Sequence, residues 1–263
     1  MDHDRSSSLG YDWFVEQFRS TTGIDLSLYK RAQMERRLFA LCTKRGYQSF
    51  EEYYFAVQDS SVLLAELLDR MTINVSEFLR NPVRWETLKK DIIPRLISSR
   101  EFHAWSAACS TGQEPYTLFM ILANVISIEQ ISILATDIDV QALSVAKRGQ
   151  YAVQEITMLD KRWQDSYFIE DEHHKVVVAP FVKERITFHQ HNLLADVFPT
   201  HLDLIICRNV LIYFTDDAKH MLIEKFAQAL RVGGILFVGG TEQIFHPETY
   251  RLKQVIPFFY ERI

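Results

Sequence analysis

Glycine is missing where a dinucleotide-binding chain needs it. The stretch Ala107-Ala108-Cys109-Ser110-Thr111-Gly112-Gln113-Glu114-Pro115-Tyr116 holds a single glycine, Gly112, so there is no G-x-G-x-x-G and no bare N–H cradle for a pyrophosphate. G-x-x-x-x-G-K-S/T is absent as well. Cysteine is scarce: Cys42, Cys109 and Cys207 are three, far apart, and form no CxxC. That excludes a disulfide framework and a cysteine zinc site, and reads as reduced, packed thiols in a cytoplasmic protein. The formal sequon Asn74-Val75-Ser76 accordingly carries no glycosylation meaning. No apolar run approaches the roughly 18 residues that span a bilayer. Met1-Asp2-His3-Asp4-Arg5 has none of the features of a signal peptide. Positive charge is outnumbered, 29 Lys and Arg against 34 Asp and Glu, for a net charge of −5. A nucleic-acid partner is therefore not expected, since phosphate neutralisation needs a basic surface.

What the chain has is ordinary globular material, 263 residues with 48% hydrophobic and 24% charged, enough for one large domain or two unequal ones. Its periodicity changes near residue 100. Before that point the pattern is helical. Residues 11–22 form an amphipathic segment stopped by Gly23, preceded by about ten residues expected to fray. Ser27 is placed to cap a helix running to Arg45, with Gly46 as its stop. Ser49 and Glu52 make a capping box for Phe50 to Gln58. Residues 61–71 carry Leu63, Leu64, Leu67 and Leu68 at helical spacing, and the helix opened by Asn81-Pro82 should kink or end at Pro94.

After residue 100, strands and helices alternate, as a parallel sheet with crossovers requires. The expected strands are Phe102–Ser106, Ile131–Thr136, Ile186–His189, Leu202–Cys207, Ile235–Val238 and a terminal Pro257–Arg262. One interval, about 151–184, breaks the alternation with short β-runs at Tyr167–Ile169, Lys175–Val178 and Phe181-Val182 around the charged turn Glu170–His174. It reads as a small inserted antiparallel subdomain. A surface excursion without a role is the other reading.

The chemistry sits at strand ends. Glu114 stands where a phosphate would be repelled and a cation such as an amino or sulfonium group would be welcome; it equally suits the first turn of a helix. Asp137, closing the second strand, is placed to hold two ribose hydroxyls. Asn192 follows the third strand with an amide able to read an adenine edge, beside Leu193. His189 and His191 lack a third ligand at suitable spacing, so no metal is expected. Arg208 and Asn209 interrupt an apolar stretch at the end of Leu204–Cys207, and an arginine there should meet a carboxylate, at a site or in an internal ion pair. Asn74, Ser76 and Arg80 lie on the segment joining the two halves, which reads either as a cover for the cleft or as an ordinary linker with solvated polar groups.

These residues resemble a known family. "MTINVSEFLRNPVRW", "WSAACSTGQEPYTL", "ILATDID", "HNLL", "CRNVLIYF" and "GGILFVGGTEQIF" are similar to the chemotaxis receptor glutamate O-methyltransferases, the CheR family, over nearly the whole chain. The resemblance implies an α/β, doubly wound S-adenosylmethionine-dependent methyltransferase fold with a small all-α N-terminal domain and an inserted antiparallel β-subdomain. Placed on this chain, the organisation is an N-terminal receptor-docking domain (1–71), a linker and connecting helix (72–98) and the methyltransferase domain (99–263). It implies methyl esterification of glutamates on the cytoplasmic domains of chemoreceptors, with S-adenosylhomocysteine as the other product. Asn74, Ser76, Arg80, Glu114, Asp137, Asn192, Leu193, Arg208 and Asn209 are implied to line the cofactor, and Arg80 and Tyr213 to act at the transfer point. Ser76 stands where many members have Thr, and Gln113 where a Glu is common.

Lys30, Arg37 and Lys44, seven residues apart on the helix expected from Leu28 to Arg45, are implied to dock on an acidic receptor region, with Leu28, Ala32 and Phe39 on the far side. The glycine-free turn Glu170–His174 is unlike that of members that grip a receptor-tail peptide, so independence from such a tether is expected. The alternatives are a methyltransferase for another substrate, or a catalytically silent member serving as a receptor-binding or sensor module.

Overall fold

The computed structural model describes residues 3–72, 74–98, 100–171 and 174–263. The chain forms two compact units. One comprises Met1–Ile73, Leu194–Asp196 and Tyr213–Leu222, the other Asn74–Leu193, Val197–Ile212 and Ile223–Ile263. Among the described residues, no helix is long and apolar enough to cross a membrane.

The first unit is built on α1 (His3–Thr22), α2 (Arg31–Lys44), α3 (Phe50–Gln58) and α4 (Ser61–Met71). Side chains start these helices where hydroxyls are available. The Ser49 Oγ accepts the Glu52 N–H at 3.2 Å, and the Ser60 Oγ accepts that of Leu63 at 3.3 Å, each satisfying a donor that has no partner in the first turn. Glu52 reaches back to the N–H of Gln48 at 2.9 Å rather than to that of Ser49. Phe14, Phe18, Leu38, Phe50, Tyr53 and Leu67 are buried between the helices.

Three expectations are corrected here. Of the first ten residues, expected to fray, those from His3 on belong to α1, and Met1 and Asp2 lie outside the described residues. Ser27 does not cap α2. Its N–H and hydroxyl both go to Asp25, which caps a short 3-10 turn at Leu26–Leu28, so α2 starts at Arg31 with Lys30 at its N-cap position. Finally, α2 buries Met34, Leu38, Leu41 and Cys42; Phe39 is exposed.

The second unit opens with α5 (Pro82–Thr87) and α6 (Ile93–Leu96), joined by a π-helical turn at Leu88–Ile92. Pro94 accounts for that turn, since it has no N–H to give the preceding turn and its ring crowds the carbonyl below. Then come β1 (Phe102–Ala107), α7 (Gln113–Leu122), β2 (Ile131–Asp137) and α8 (Val140–Arg148). After the inserted segment follow β6 (Ile186–Gln190), β7 (Leu202–Cys207), α11 (Asp216–Ala229), β8 (Leu230–Val238), β9 (Leu252–Ile256) and β10 (Phe259–Arg262). The seven strands lie in the order β6-β2-β1-β7-β8-β10-β9. The first five are parallel, and β10 runs antiparallel to both β8 and β9. The terminal strand expected at 257–262 is thus one arm of a hairpin, whose other arm had not been anticipated. Trp105, Phe119, Leu204, Ile206 and Phe237 fill the core about the sheet, and Phe237 stacks on Phe259 at 4.3 Å between ring centres.

The inserted segment contains β3 (Gln150–Ala152), α9 (Lys161–Tyr167), β4 (Phe168–Glu170), β5 (Lys175–Val178) and α10 (Pro180–Lys183), with a separate antiparallel sheet in the order β3-β5-β4. Phe181 and Val182 belong to α10 instead of a strand, because Pro180 opens a helix at its first position. Glu172 and His173 of the charged turn lie outside the described residues.

Candidate active site

The strand order reverses between β1 and β7, with β2 and β6 to one side and β8 to the other. A doubly wound sheet leaves a crevice beyond the carboxyl ends of its strands at such a point. The β1 turn carries Ala108 to Gly112, the β7 turn Arg208 and Asn209. Both are backbone-strained: Ala108, Ser110 and Asn209 have φ of 68°, 50° and 61° without being glycine. Such conformations persist where the surroundings over-determine them, and they concentrate at ligand sites. Gly112 (φ 98°) is there for space as well as angle, because a Cβ would come within 2.9 Å of the Ala146 Cβ and of the Tyr151 hydroxyl.

Glu114 and Arg208 form the centre. The Glu114 carboxylate, 15% exposed, takes a hydrogen bond from the Ser106 hydroxyl at 2.9 Å and lies 3.6 Å from the Arg208 guanidinium, which is 3% exposed. Burial pushes the Glu114 carboxyl up, against the opposing pull of Arg208 and Ser106. Burial likewise lowers Arg208, with Glu114 countering it. Arg208 also donates to the Arg80 carbonyl at 2.7 Å and lies over the rings of Trp85 and Phe237 at 5.3 and 5.0 Å. Its Nε is buried with no partner among the described residues. Arg80 is half-buried and donates to the Val75 carbonyl at 3.0 Å, while its own carbonyl also accepts the Trp85 indole N–H at 3.1 Å.

The second cluster surrounds the end of β2. Asp137, 6% exposed, accepts the Ser110 N–H at 2.8 Å and the Asp139 N–H at 2.9 Å. Burial raises its carboxyl, and these two N–H groups partly offset the rise. Asp139 caps α8 through the N–H of Gln141 and receives the Asn74 amide at 2.6 Å. The Ser110 hydroxyl donates to the Asn74 carbonyl oxygen at 3.3 Å. Asn74 is therefore tied to the β1 and β2 turns together. Ser76 is half-buried on the same segment.

Asn192 and the buried Leu193 follow β6, and the Leu193 carbonyl accepts the Lys225 ammonium at 3.1 Å. His191 lies past the end of β6, so it does not share a strand face with His189. No group of acidic, histidine or cysteine residues able to hold a metal occurs among the described residues. Cys109, in the β1 turn, and Cys207, the last residue of β7, are buried, and burial with the nearby carboxylates pushes both thiols well up.

Tyr213 belongs to the first unit. There its carbonyl accepts the Lys30 N–H at 2.8 Å, and its ring lies 5.6 Å from the Arg37 guanidinium carbon. Arg37 also donates to the Met71 carbonyl at 2.9 Å. The stripe Lys30–Arg37–Lys44 is therefore uneven: Arg37 is half-buried and engaged, while Lys30 and Lys44 are exposed.

A partly exposed carboxylate beside a guanidinium with an orphaned N–H suits the ammonium and carboxylate of an amino acid. A buried acid at the neighbouring strand end suits a diol. The pair fits the two ends of S-adenosylmethionine. Residues 74–257 match the family described as CheR methyltransferase, SAM binding domain, and residues 9–72 that described as CheR methyltransferase, all-alpha domain. The chain belongs to the CheR methyltransferases. Two chemotaxis protein methyltransferases, of Listeria monocytogenes and Listeria innocua, are each 40% identical to it over 95% of this chain and 96% of the relative. One of Borreliella burgdorferi is 32% identical over 91% of this chain and 89% of the relative. As a CheR methyltransferase it uses S-adenosylmethionine.

Several participants escape a reading of sequence. Ser106, Trp85, Asp139 and Glu242 look there like ordinary strand, helix and loop residues, and none of them gave a local signal.

Proposed function

We propose that this chain methylates glutamate side-chain carboxylates on the cytoplasmic domains of chemoreceptors, in the cytoplasm, forming methyl esters that adapt the receptors' response. The observation that carries the reading is the likeness to proteins named chemotaxis protein methyltransferases, which runs through both the helical and the sheet-forming parts of the chain. When bound, S-adenosylmethionine supplies a methyl group on a positively charged sulfur, open to displacement by a carboxylate oxygen.

Glu114 and Arg208 hold the amino-acid end of the cofactor, Asp137 the ribose, and Asn192 with Leu193 the adenine side. Asn74, Ser76 and Asn209 complete the lining. An attacking glutamate, with a pKa of about 4.3, is ionised to more than about 99% at pH 7, so no residue has to remove a proton. What the protein supplies is alignment and exclusion of water, and alignment alone is worth roughly 7–11 kcal/mol in favourable cases. Arg80 presents the substrate carboxylate through a charge-assisted bond, and Tyr213 orients it. The exposed cations Lys30, at the N-cap of α2, and Lys44, in its last turn, dock on the acidic methylation region, and no receptor-tail tether is needed.

Incubation with methyl-labelled S-adenosylmethionine and receptor-rich membranes should yield label that alkali releases as methanol, the mark of a carboxyl ester. Alkali-stable label would point to another substrate, and receptor binding without label to a silent member. A receptor-tail peptide binding tightly in calorimetry would remove the tether-independent part alone.

A further inference from the structure

The turn after β8 holds a carboxylate with no assigned role. Glu242, 7% exposed, belongs to Gly239-Gly240-Thr241-Glu242. Its Oε2 accepts the Gly239 N–H within that turn at 2.7 Å and the Asn209 N–H in the β7 turn at 2.7 Å. Its Oε1 accepts the Ile212 N–H at 3.3 Å, in the 3-10 turn Leu211–Tyr213. One side chain thus ties the ends of two neighbouring parallel strands.

The turns are also in close contact. A Cβ on Gly239 would lie 2.8 Å from the Asn209 nitrogen and would collide with the Glu242 Oε2. Asn209, in a left-handed conformation, needs its surroundings to hold it there. A carboxylate suits the place because it offers only acceptors to the converging N–H groups. An amide would turn its own NH2 against one of them.

We propose that Glu242 is a positioning residue of the donor site. Its carboxylate fixes the Arg208–Asn209 turn, keeping the Arg208 guanidinium against Glu114 and over Trp85. The inference rests on the reading that Arg208 and Asn209 line the donor cleft.

The test is calorimetric titration of S-adenosylhomocysteine into the full chain as wild type, Glu242→Gln, Glu242→Asp and Arg231→Gln, with a thermal melt of each. Arg231 serves as the stability control, because its Nε pairs with Asp203 at 2.6 Å at the opposite end of β7. Folded Glu242→Gln should bind about tenfold more weakly or worse, the scale of a lost hydrogen bond to a charged group, with kcat/KM falling in step. Glu242→Asp, which keeps the charge, should recover part of the loss. Arg231→Gln should lower the Tm and leave affinity within about twofold.

Folded Glu242→Gln that binds and turns over like wild type overturns the inference. If that variant does not fold, Gly239→Ala, which pries the two turns apart without removing a charge, decides by the same criteria. Wild-type protein that binds no S-adenosylhomocysteine would overturn the donor reading itself and this inference with it.

Discussion

Arg80 faces two ways. Its backbone carbonyl receives Arg208 and Trp85, while its side chain reaches only as far as the Val75 carbonyl. Arg80→Ala keeps the carbonyl and so keeps Arg208 in place. A charge-assisted bond to the substrate is worth roughly 1.5–3 kcal/mol, or about 10- to 150-fold in rate. Turnover by Arg80→Ala should fall by that much while calorimetry with S-adenosylhomocysteine shows affinity within about threefold of wild type. Equal loss of both would reassign Arg80 to the cofactor.

Glu114 gives a prediction in pH. Burial raises its carboxyl above the ordinary value, so it takes up a proton at a higher pH than an exposed glutamate would. Only the ionised form attracts an ammonium. Donor affinity should therefore be flat near neutrality and weaken as the pH falls, starting above the usual carboxylate range. Glu114→Gln should bind weakly with no such slope, and a wild-type profile equally flat would remove Glu114 from the amino end. The stability linkage has the opposite sense. A folded-state pKa above the unfolded one favours the folded state as pH falls through it, and that contribution is lost as pH rises.

At the level of single elements, legibility followed how local the decisive interaction is. The Ser49 cap was readable because its bond is three residues long. Ser49→Ala should lower stability by about 1 kcal/mol in urea denaturation, with kcat unchanged; no loss would mean that the Glu52 to Gln48 bond holds the turn alone. The start of α2 was misread because Asp25 competes for the Ser27 N–H, two residues away, a choice that spacing does not reveal. Arg37, read as one of three surface cations, is half-buried because its guanidinium donates to the Met71 carbonyl, 34 residues on. The central strands β1, β2, β7 and β8 were legible because they are largely buried and apolar, whereas β9, at the sheet edge, exposes Lys253 and Gln254 and has only Leu252 fully buried. Glu242 was illegible because its partner is non-local: it accepts the N–H of Asn209, 33 residues back in the chain.

For the whole molecule, net charge is a poor guide to partners. The chain carries −5 overall, yet the proposed substrate is acidic, so attraction must come from local cations rather than the total field. Lys30→Glu with Lys44→Glu should raise the KM for receptor several-fold and leave both kcat and S-adenosylhomocysteine affinity unchanged. Raising ionic strength from 0.01 to 0.15 M should do the same to wild type, as the screening length contracts from about 30 to about 8 Å. A receptor KM indifferent to salt and to both substitutions would remove α2 as the docking element.

The burial of Cys109 and Cys207 has a chemical consequence. A methylating agent alkylates thiolates readily, and the thiolate rather than the thiol is the reactive form. In this protein, burial and the surrounding carboxylates keep both sulfurs protonated. The carboxylates proposed to draw the donor into the cleft thus also help spare the enzyme from becoming its own acceptor.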